Sequence, residues 1–586
     1  MMDVAVLLLE QARRLERDGL LPQAELVYRK LLADDPGQAG AAHALGNLLY
    51  ERGAFSDAAE YYRQALGRRA DYPEAAYNLG NALGGLGRWL DAAAAYDDAI
   101  RLNPDFAEAR LNRAGTLHRL GRHGEAADEC RRVIDLREDL PDAYNILGAS
   151  LYSQGDFNAA VTALRQAIAL CPDHALAHNN LGMALSSLGR FTEAAEAHRR
   201  ALALDPDMAS AYTNLARPLY QLGRIDEALA AASMATALAP KSPEAHNNLG
   251  TALYASERNA EAAAALETAI AMVPDLAGIH HHYGMVLLKL GRLAEGWAQY
   301  EWRRRIENFC RQLPGPQWRG EPLGGRTILL HTEQGLGDCL HFARYAPLVA
   351  AAGGRVVLWA DEPLVRILRT LPGVAEVVPL ETIPPTFDVH LPLMSLPHVF
   401  GTELHSIPAD IPYLLPDAAA AKAWGDRLTA LPGLKVGLVW AGGLRPYDPL
   451  ANFRSLGPDG FASLASTPGV SFVSLQKGPR AEPAEAAPTG LRLTDWMDEV
   501  SDFADTAALI ANLDLVITVD TAVAHLAGAM GKPVWVLLRF GGCWRWLESR
   551  DDSPWYPTAR LFRQPALGQW EPVLLAVADE LRRLTA

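Results

Sequence analysis

The sequence predicts a protein of two parts, an α-solenoid of paired helices followed by an α/β region with parallel sheets. A period of 34 residues runs through roughly the first 300 residues. Beyond it, short apolar runs alternate with helical stretches, which is the pattern of βαβ units. A chain of 586 residues is also long enough for several domains.

Four sets of residues share the register of the repeat. A small residue stands at Ala12, Gly46, Gly80, Ala114, Gly148, Gly182, Ala216, Gly250 and Gly284, and a second set runs Ala24, Ala58, Ala92, Ala126, Ala160, Ala194, Ala228, Ala262 and Gly296. Turn glycines stand at Gly19, Gly53, Gly87, Gly121, Gly155, Gly189, Gly223 and Gly291, and prolines at Pro36, Pro104, Pro172, Pro206, Pro240 and Pro274. Small residues let paired helices approach closely, glycine ends the first helix, and proline stops the second. The pattern resembles the tetratricopeptide repeat, with nine repeats over residues 5–310, which implies a superhelix that holds a peptide or protein in its groove.

One row of asparagines follows the same period. Asn78, Asn112, Asn180, Asn214 and Asn248 each stand two residues before the small-residue position, on the first helix of a repeat. A row of amides can bind an extended peptide backbone without reading its side chains. This row resembles the repeat region of protein O-GlcNAc transferases, which implies a role in holding the acceptor polypeptide. The alternative is a repeat-consensus asparagine that bonds to a neighbouring helix.

The three consecutive histidines His280, His281 and His282 do not form a metal motif. Consecutive helical residues point about 100° apart and cannot converge on one ion. We predict a packed or groove-facing cluster.

Composition and charge exclude several classes of protein. The formal net charge of −15 argues against a general binder of nucleic-acid phosphates. The five cysteines have no CxxC spacing, which argues against a disulfide framework or zinc ribbon and favours a reducing compartment. No signal peptide is recognised at the start and no run of about 18 apolar residues occurs, so a cytoplasmic protein is expected.

The second half begins after a linker predicted at residues 311–326, which is rich in Pro and Gly. Strands are predicted at Thr327–Leu330, Arg355–Trp359, Ala375–Val378, Val436–Trp440, Val470–Leu475, Leu515–Val519 and Val534–Leu538. A Pro-rich interruption divides them into two Rossmann-like domains, residues 327–415 and residues 432–586. Ligands of such folds lie beyond the carboxyl ends of the strands.

Asp338 follows the first predicted strand in a loop with two glycines, at the start of a helix. Three interpretations are open. A dinucleotide fingerprint would need a third glycine, where Leu340 stands, although Asp361 after the second strand mimics the ribose-binding acid. Asp338 could be a helix N-cap. We favour a general base that acts on an acceptor hydroxyl.

A second candidate element follows the strand at 515–519. Asp520 and Thr521 stand where this strand ends and a helix begins, so backbone N–H groups and the helix dipole would suit a diphosphate there. Asp520 could also N-cap the helix. His525 lies one turn further along, where it could reach the ligand or merely pack.

Three elements recur in an order that resembles heptosyltransferase-like glycosyltransferases, which have a GT-B fold of two facing Rossmann-like domains. The elements are Gly337-Asp338-Cys339-Leu340-His341, Val439-Trp440-Ala441-Gly442-Gly443 and Asp520-Thr521-x-x-x-His525. The resemblance covers about residues 320–586 and implies that Asp338 is the catalytic base. It also implies that residues 327–415 form the acceptor-side domain and that residues 432–586 form the domain that binds the donor nucleotide. It further implies that the donor is bound by Asp520, Thr521 and Ala522, with His525 alongside. The family has a basic residue that neutralises the donor phosphates, and Arg454 is the best candidate for that residue here. Gly442, Gly443 and Gln476, which follow predicted strands, are assigned to the same donor site.

Two departures from this family affect the choice of donor. Ala522 replaces a glycine, and the family's lysine is absent at the position assigned to Arg454, so the donor need not be a heptose nucleotide. No Asp-x-Asp occurs in residues 311–586, which favours an enzyme without a metal or other cofactor. The leaving diphosphate would then be neutralised by amides, a helix dipole and the cations Arg454, Lys477 and Arg545.

Near the end of the chain, aromatic residues concentrate in Trp544-Arg545-Trp546 and Trp555-Tyr556. They could stack on a ligand, but we favour packing between domains. The closing helix, predicted at Pro572–Leu584, would cross back to the first Rossmann-like domain in a GT-B fold.

The leading hypothesis is an inverting, metal-independent glycosyltransferase that transfers a sugar from a nucleotide-sugar to a protein captured by the repeats. Bacterial flagellin glycosyltransferases have a similar plan, which makes flagellin a candidate acceptor. A surface polysaccharide or lipid-linked glycan acceptor remains open. A non-enzymatic scaffold with a degenerate transferase domain is the competing class, and a dinucleotide-dependent enzyme is a more distant alternative.

Overall fold

The computed structural model describes residues 4–307, 309–443, 449–465, 467–478, 480–481 and 491–586. The chain divides into two compact units, Met1–Pro218 and Leu219–Ala586, which we call the first and second units. The division falls inside the predicted repeat region, so the last repeats belong to the same unit as the α/β part.

Paired helices fill the repeat region. Their bounds are α1 Val4–Arg17, α2 Leu21–Asp34, α3 Ala39–Glu51, α4 Phe55–Arg68, α5 Pro73–Gly85, α6 Trp89–Leu102, α7 Ala107–Arg119, α8 His123–Leu136, α9 Pro141–Ser153, α10 Phe157–Leu170, α11 Ala175–Ser187, α12 Phe191–Leu204, α13 Ala209–Gln221, α14 Ile225–Leu238, α15 Pro243–Ala255, α16 Asn259–Met272, α17 Ala277–Lys289 and α18 Leu293–Tyr300. This pattern confirms the predicted α-solenoid.

The repeat positions have the physical roles that the sequence predicted. A Cβ at Gly80 would lie 2.4 Å from the Tyr96 ring, and one at Gly148 would lie 2.4 Å from Leu164, so only a small residue fits between the paired helices. The turn glycines adopt positive φ, for example 71° at Gly87, a left-handed conformation that costs glycine little.

Glu257 occupies the glycine position of the eighth repeat, with φ at 60°. A non-glycine residue pays about 1–2 kcal/mol for this conformation. Its carboxylate pairs with Lys289 Nζ at 2.8 Å, and the same ammonium donates to the Gly542 carbonyl at 2.7 Å. Lys289 is fully buried, and this burial lowers the pKa of its ammonium despite the charge of Glu257. The broken glycine pattern therefore marks where the repeats join the α/β region.

The α/β part of the second unit contains two parallel sheets, which confirms the predicted α/β fold. The first has the order β3-β2-β1-β4, from β1 Thr327–His331, β2 Arg355–Ala360, β3 Val374–Pro379 and β4 Val389–Pro392. The second has the order β10-β9-β8-β5-β6-β7, from β5 Leu434–Val439, β6 Val470–Ser474, β7 Leu493–Thr494, β8 Leu515–Val519, β9 Val534–Leu538 and β10 Ala559–Arg563. All pairings of these strands are parallel, as in doubly wound folds.

The remaining α-helices lie between these strands along the chain, apart from α26, which follows the last strand. They are α19 Leu336–Phe342, α20 Ala346–Ala351, α21 Val365–Leu368, α22 Leu396–Val399, α23 Ala418–Leu428, α24 Phe503–Ile510, α25 Ala522–Ala529 and α26 Glu571–Thr585. Among the described residues, no helix combines the length and apolar character needed to cross a bilayer.

Two local features differ from simple expectation. The segment 311–326 forms no helix or strand, yet Trp318 and Leu323 are each 1% exposed, so it packs against the first sheet instead of standing apart as a spacer. The prediction that the last helix crosses back to the first Rossmann-like domain is wrong. Helix α26 packs Val577 and Leu581 into the core of the second sheet, because its apolar stripe faces that sheet.

The last repeat packs directly against the α/β part of the second unit. Trp297 of α18 lies edge-on to Trp544 at 5.3 Å between ring centroids, and Tyr300 lies 6.0 Å from the same ring. The Asn259 amide donates to the Glu548 carboxylate at 2.5 Å. These contacts fix the segment 541–548 from the repeat side.

The three histidines diverge, as predicted. His280 bonds to Gln299 and to the Pro274 carbonyl, His281 packs against aromatic rings, and His282 bonds to Asn247 at 2.9 Å.

The second unit is expected to lose stability in mild acid. Burial lowers the pKa of His281 to about 3, that of His282 to about 4 and that of His331 to about 3. Because the unfolded chain binds protons near pH 6.5 while the folded chain does not, the free energy of unfolding falls as the pH drops from about 6.5 towards 4. Each histidine should contribute roughly 1–3 kcal/mol to this fall.

Urea unfolding at pH 7 and at pH 4.5 measures the effect. In His281→Phe, the phenylalanine ring can keep the aromatic packing but cannot bind a proton. The loss of unfolding free energy between pH 7 and pH 4.5 should therefore be smaller in this variant than in the wild type. Equal losses in the two proteins would contradict the assignment for His281.

Candidate active site

Helices α19 and α25 bring together two sequence elements that are far apart along the chain. A Cβ at Gly337 would lie 2.9 Å from the His525 ring and 3.3 Å from the Ala522 Cα atom. Glycine is therefore required at 337 for the two helices to approach. The Gly-Asp element and the Asp-Thr-x-x-x-His element form one site.

Asp338 lies in the first turn of α19 and is 4% exposed. The N-cap of α19 is Gly335, so the N-cap interpretation of Asp338 is wrong. Its carboxylate forms an ion pair with Arg545, with 2.6 Å between Oδ1 and Nη2. Burial opposes the charge on Arg545, but the Asp338 carboxylate together with Cys543 and Tyr300 more than offsets it, and the pKa of the guanidinium is raised.

Asp520 follows β8 and is held by two neighbours. The Trp546 indole donates to its carboxylate at 3.0 Å, and Arg454 donates to its backbone carbonyl at 3.2 Å. Asp520 does not cap α25, because Thr521 occupies the N-cap and the Asp520 carboxylate is turned towards Trp546. The Thr521 hydroxyl bonds to Thr518 at 2.9 Å and makes no capping bond, so no N-cap side chain covers the first N–H groups of α25.

Arg454, Gly442 and Gly443 meet at the ends of β5 and β8. The Arg454 guanidinium donates to the Gly443 carbonyl, and a Cβ at Gly442 would lie 2.7 Å from its central carbon. Gly442 thus leaves space for a buried cation beside the loop that follows β5.

Gln476, two residues after the end of β6, supports the same loop. Its side-chain oxygen accepts from the backbone N–H groups of Trp440 at 3.1 Å and Ala441 at 2.8 Å. This geometry makes Gln476 a loop-positioning residue. Lys477, which the sequence offered as a cation for the diphosphate, instead donates to the carbonyls of Met497 and Val500.

His525 lies within a buried polar and aromatic cluster. The Tyr556 hydroxyl lies 3.0 Å from His525 Nδ1 and 3.1 Å from His341 Nδ1. The His525 ring also stacks on Trp546, with centroids 5.4 Å apart. Burial raises the pKa of Tyr556 and lowers that of His341. The structure shows this packing of His525, while contact of His525 with the donor stays a prediction.

The aromatic segments near the chain end pack in the core, with Trp544, Trp546, Trp555 and Tyr556 each at most 3% exposed. Sequence reasoning missed that Trp546 binds Asp520 and that Arg545 pairs with Asp338. The signal was the Trp-Arg-Trp motif, in which a charged residue stands between two large aromatic residues.

The asparagine row is partly buried, and its amides bond between repeats. Within the first unit, Asn78 donates to Asn47 at 3.0 Å, Asn112 to Asn81 at 2.8 Å, Asn180 to Asn145 at 2.9 Å and Asn214 to Asn179 at 3.2 Å. Each acceptor lies on the first helix of the preceding repeat. Asn248 of the second unit is also partly buried. The structure therefore supplies the bonds that the alternative interpretation requires, while peptide binding by this row stays a prediction.

Asp361, which mimics a ribose-binding acid, accepts a hydrogen bond from the Thr332 hydroxyl at 3.1 Å. It braces the loop after β1.

Comparison with protein families matches both parts of the chain. Tetratricopeptide-repeat models match residues 9–75, 77–141, 147–209 and 247–301, and another such model matches 187–250. The model "Glycosyltransferase family 9 (heptosyltransferase)" matches residues 475–539, which include Asp520, Thr521 and His525.

Among curated proteins, Protein FlbA of Caulobacter vibrioides (strain ATCC 19089 / CIP 103742 / CB 15) is 33% identical over 328 residues, which are 50% of this chain and 53% of FlbA. The chain thus spans about half the length of this relative.

Two solved structures also align with the chain. The APC/C hetero-tetramer Cut9-Hcn1 aligns at 18% identity over 48% of this chain and 55% of that chain, with a TM-score of 0.39. The tetratricopeptide-repeat protein TTC0263 of Thermus thermophilus aligns at 26% identity over 31% of this chain and 99% of that chain, with a TM-score of 0.28. The chain thus combines tetratricopeptide repeats with a segment, residues 475–539, that is similar to glycosyltransferase family 9 (heptosyltransferase).

Proposed function

We propose that this protein is a metal-independent, inverting glycosyltransferase that transfers a sugar from a nucleotide-sugar donor to a protein acceptor held by the repeats. The observation that carries the proposal is the close approach of Gly337, the neighbour of Asp338, to Ala522 at the N-terminal end of α25. Two further contacts support the proposal: Arg545 pairs with Asp338, and Arg454 donates to the carbonyl of Asp520, which precedes α25. Flagellin is the acceptor suggested by the resemblance to flagellin glycosyltransferases.

In the proposed reaction, the acceptor hydroxyl oxygen attacks the anomeric carbon while the bond from that carbon to the diphosphate oxygen breaks. The hydroxyl proton passes to the Asp338 carboxylate, and the diphosphate leaves with the bonding electrons. Arg454 and the N–H groups of α25 would stabilise the charge on the leaving group. Attack from the face opposite the leaving group inverts the anomeric carbon.

The ion pair between Arg545 and Asp338 has a role in this scheme. A carboxylate that is bound to a guanidinium is a weak base until the pair separates. A donor diphosphate offers Arg545 a second anion, so we propose that donor binding draws Arg545 away and frees Asp338. Base catalysis would then begin only when the donor is present.

The expected cellular setting is the cytoplasm. All five cysteines are unpaired, which fits a reducing compartment.

Thermal unfolding with UDP, GDP, ADP, CMP and NAD tests for the donor site. A ligand at about 100 times its dissociation constant should stabilise the folded protein by about 2.7 kcal/mol. We expect a shift with one nucleoside phosphate and its loss in Asp520→Ala. Asp514→Asn is the matched control, because Asp514 lies at the opposite end of β8 and accepts from the Lys435 backbone N–H there.

The pattern of shifts separates the alternatives. A shift with NAD alone would favour a dinucleotide-dependent enzyme, and no shift with any nucleotide would favour the scaffold. If nucleotide binding is normal but a protein acceptor is not modified, a polysaccharide or lipid-linked glycan becomes the better acceptor class.

A further inference from the structure

A cavity of about 660 Å³ lies beside the end of β1. It is lined by the loop that follows β1 and by the segment that follows the last repeat. Its lining includes Arg304, Arg305, Arg311, Gln312 and Thr332. In the first sheet, β1 lies between β2 and β4, where the strand order reverses, and ligands of doubly wound sheets bind at this point. The cavity is separate from the residues assigned to the donor.

Two of the lining arginines stack on indole rings. Arg305 stacks on Trp302 with its guanidinium carbon 4.0 Å from the ring centroid, and Arg311 stacks on Trp359 at 4.4 Å. Within the ranges that the structure describes, neither guanidinium has a carboxylate at ion-pair distance. The indole faces hold both cations in place before any ligand arrives.

The acidic residues of the lining leave an excess of positive charge. Glu333 is fully buried and pairs with Arg303 at 2.7 Å, so a separate cation neutralises it. Arg304 shares Glu301 with Arg303. Glu307 is the other carboxylate of the lining, which contains three guanidinium groups, those of Arg304, Arg305 and Arg311.

We propose that this cavity binds an acidic segment of the acceptor polypeptide, with its carboxylates on Arg305 and Arg311. Guanidinium groups favour carboxylates through paired, charge-assisted hydrogen bonds. A flexible peptide chain can present two separate carboxylates at once, one to each arginine. The proposal rests on the proposed function, because it names the chemistry of the acceptor, and it adds a specificity site next to the loop that leads to Asp338.

The test measures binding of a hexaglutamate peptide to the full chain by calorimetry at low salt. We expect binding to the wild type, at least about tenfold weaker binding to Arg305→Gln/Arg311→Gln, and weaker binding as salt rises. Arg319→Gln/Arg369→Gln is the matched control, since it removes the same charge from two exposed arginines outside the lining, and it should bind like the wild type. Hexaglutamine should not bind.

Equal binding of hexaglutamate to both double variants, or no binding to the wild type, would overturn the proposal. Inorganic phosphate that binds as tightly as the peptide would also overturn it in favour of a site for free anions. The nucleotide-induced thermal shift should be unchanged in Arg305→Gln/Arg311→Gln. Peptide binding without any nucleotide shift would therefore reject the proposed function while keeping this site.

Discussion

Replacing Arg545 with methionine is expected to lower the free energy of unfolding of the second unit by about 3–5 kcal/mol. The reason is the buried partner that remains. Arg545 and Asp338 are each 5% exposed in their side chains and lie 2.6 Å apart, so the variant leaves a carboxylate with neither water nor a cation. Its desolvation is then uncompensated.

A double-mutant cycle isolates this effect. Arg545→Met combined with Asp338→Leu removes both charges, and we expect the double variant to be more stable than Arg545→Met alone. Urea unfolding followed by circular dichroism gives the four free energies. Sugar transfer does not distinguish the variants, because each single change removes a group from the proposed reaction.

The control is a surface ion pair of the same type. Arg550 pairs with Asp552, whose side chain is 64% exposed, so Arg550→Met should cost less than about 1 kcal/mol. If Arg545→Met loses no more stability than this control, Asp338 is not held as a buried charge, and the proposed exchange of Arg545 between Asp338 and the donor loses its basis.

The repeats and most strands could be predicted because their patterns are local. All seven predicted strands are present, and their bounds differ from those observed by at most two residues at either end. The three missed strands lack the pattern: β4 has four residues and ends in proline, β7 has two residues, and β10 is an edge strand with arginines at positions 560 and 563. Short strands and edge strands give weak periodic signals.

The internal contacts of the site could not be predicted in the same way. The pairing of Arg545 with Asp338 and of Trp546 with Asp520 depends on how the segment 541–548 folds, and that segment has no periodicity. Glu257 did carry a signal, since it breaks the glycine pattern, but its reason is visible only with Lys289 beside it. Long-range polar contacts are fixed by tertiary structure, so a single sequence does not specify them.

A chain of residues 311–586, cut at the predicted end of the repeats, is expected not to unfold cooperatively. A chain of residues 209–586, which begins with α13, should fold. The shorter chain lacks α17 and α18, and with them Trp297 at 1% exposure and Tyr300 at 3% exposure. Each large side chain buried in a core contributes about 1.5–3 kcal/mol, and the loss of two such groups is comparable with the whole stability of a domain.

The same cut also removes the support of the segment that carries Arg545. Lys289 no longer binds the Gly542 carbonyl, Asn259 no longer binds Glu548, and the ring of Trp544 becomes exposed. Near-ultraviolet circular dichroism and thermal unfolding compare the two chains directly. A cooperative transition of the 311–586 chain within a few degrees of the longer one would contradict the prediction.

This result decides how deletions of the repeats can be interpreted. If α17 and α18 are part of the folded second unit, a lost activity after their removal reports unfolding and says nothing about acceptor capture. The informative deletion is residues 1–208, which leaves the second unit whole. A 209–586 chain that binds nucleotide but no longer modifies a protein acceptor would support capture by the earlier repeats. Normal transfer by that chain would instead place acceptor recognition within the second unit, where Arg305 and Arg311 line their cavity.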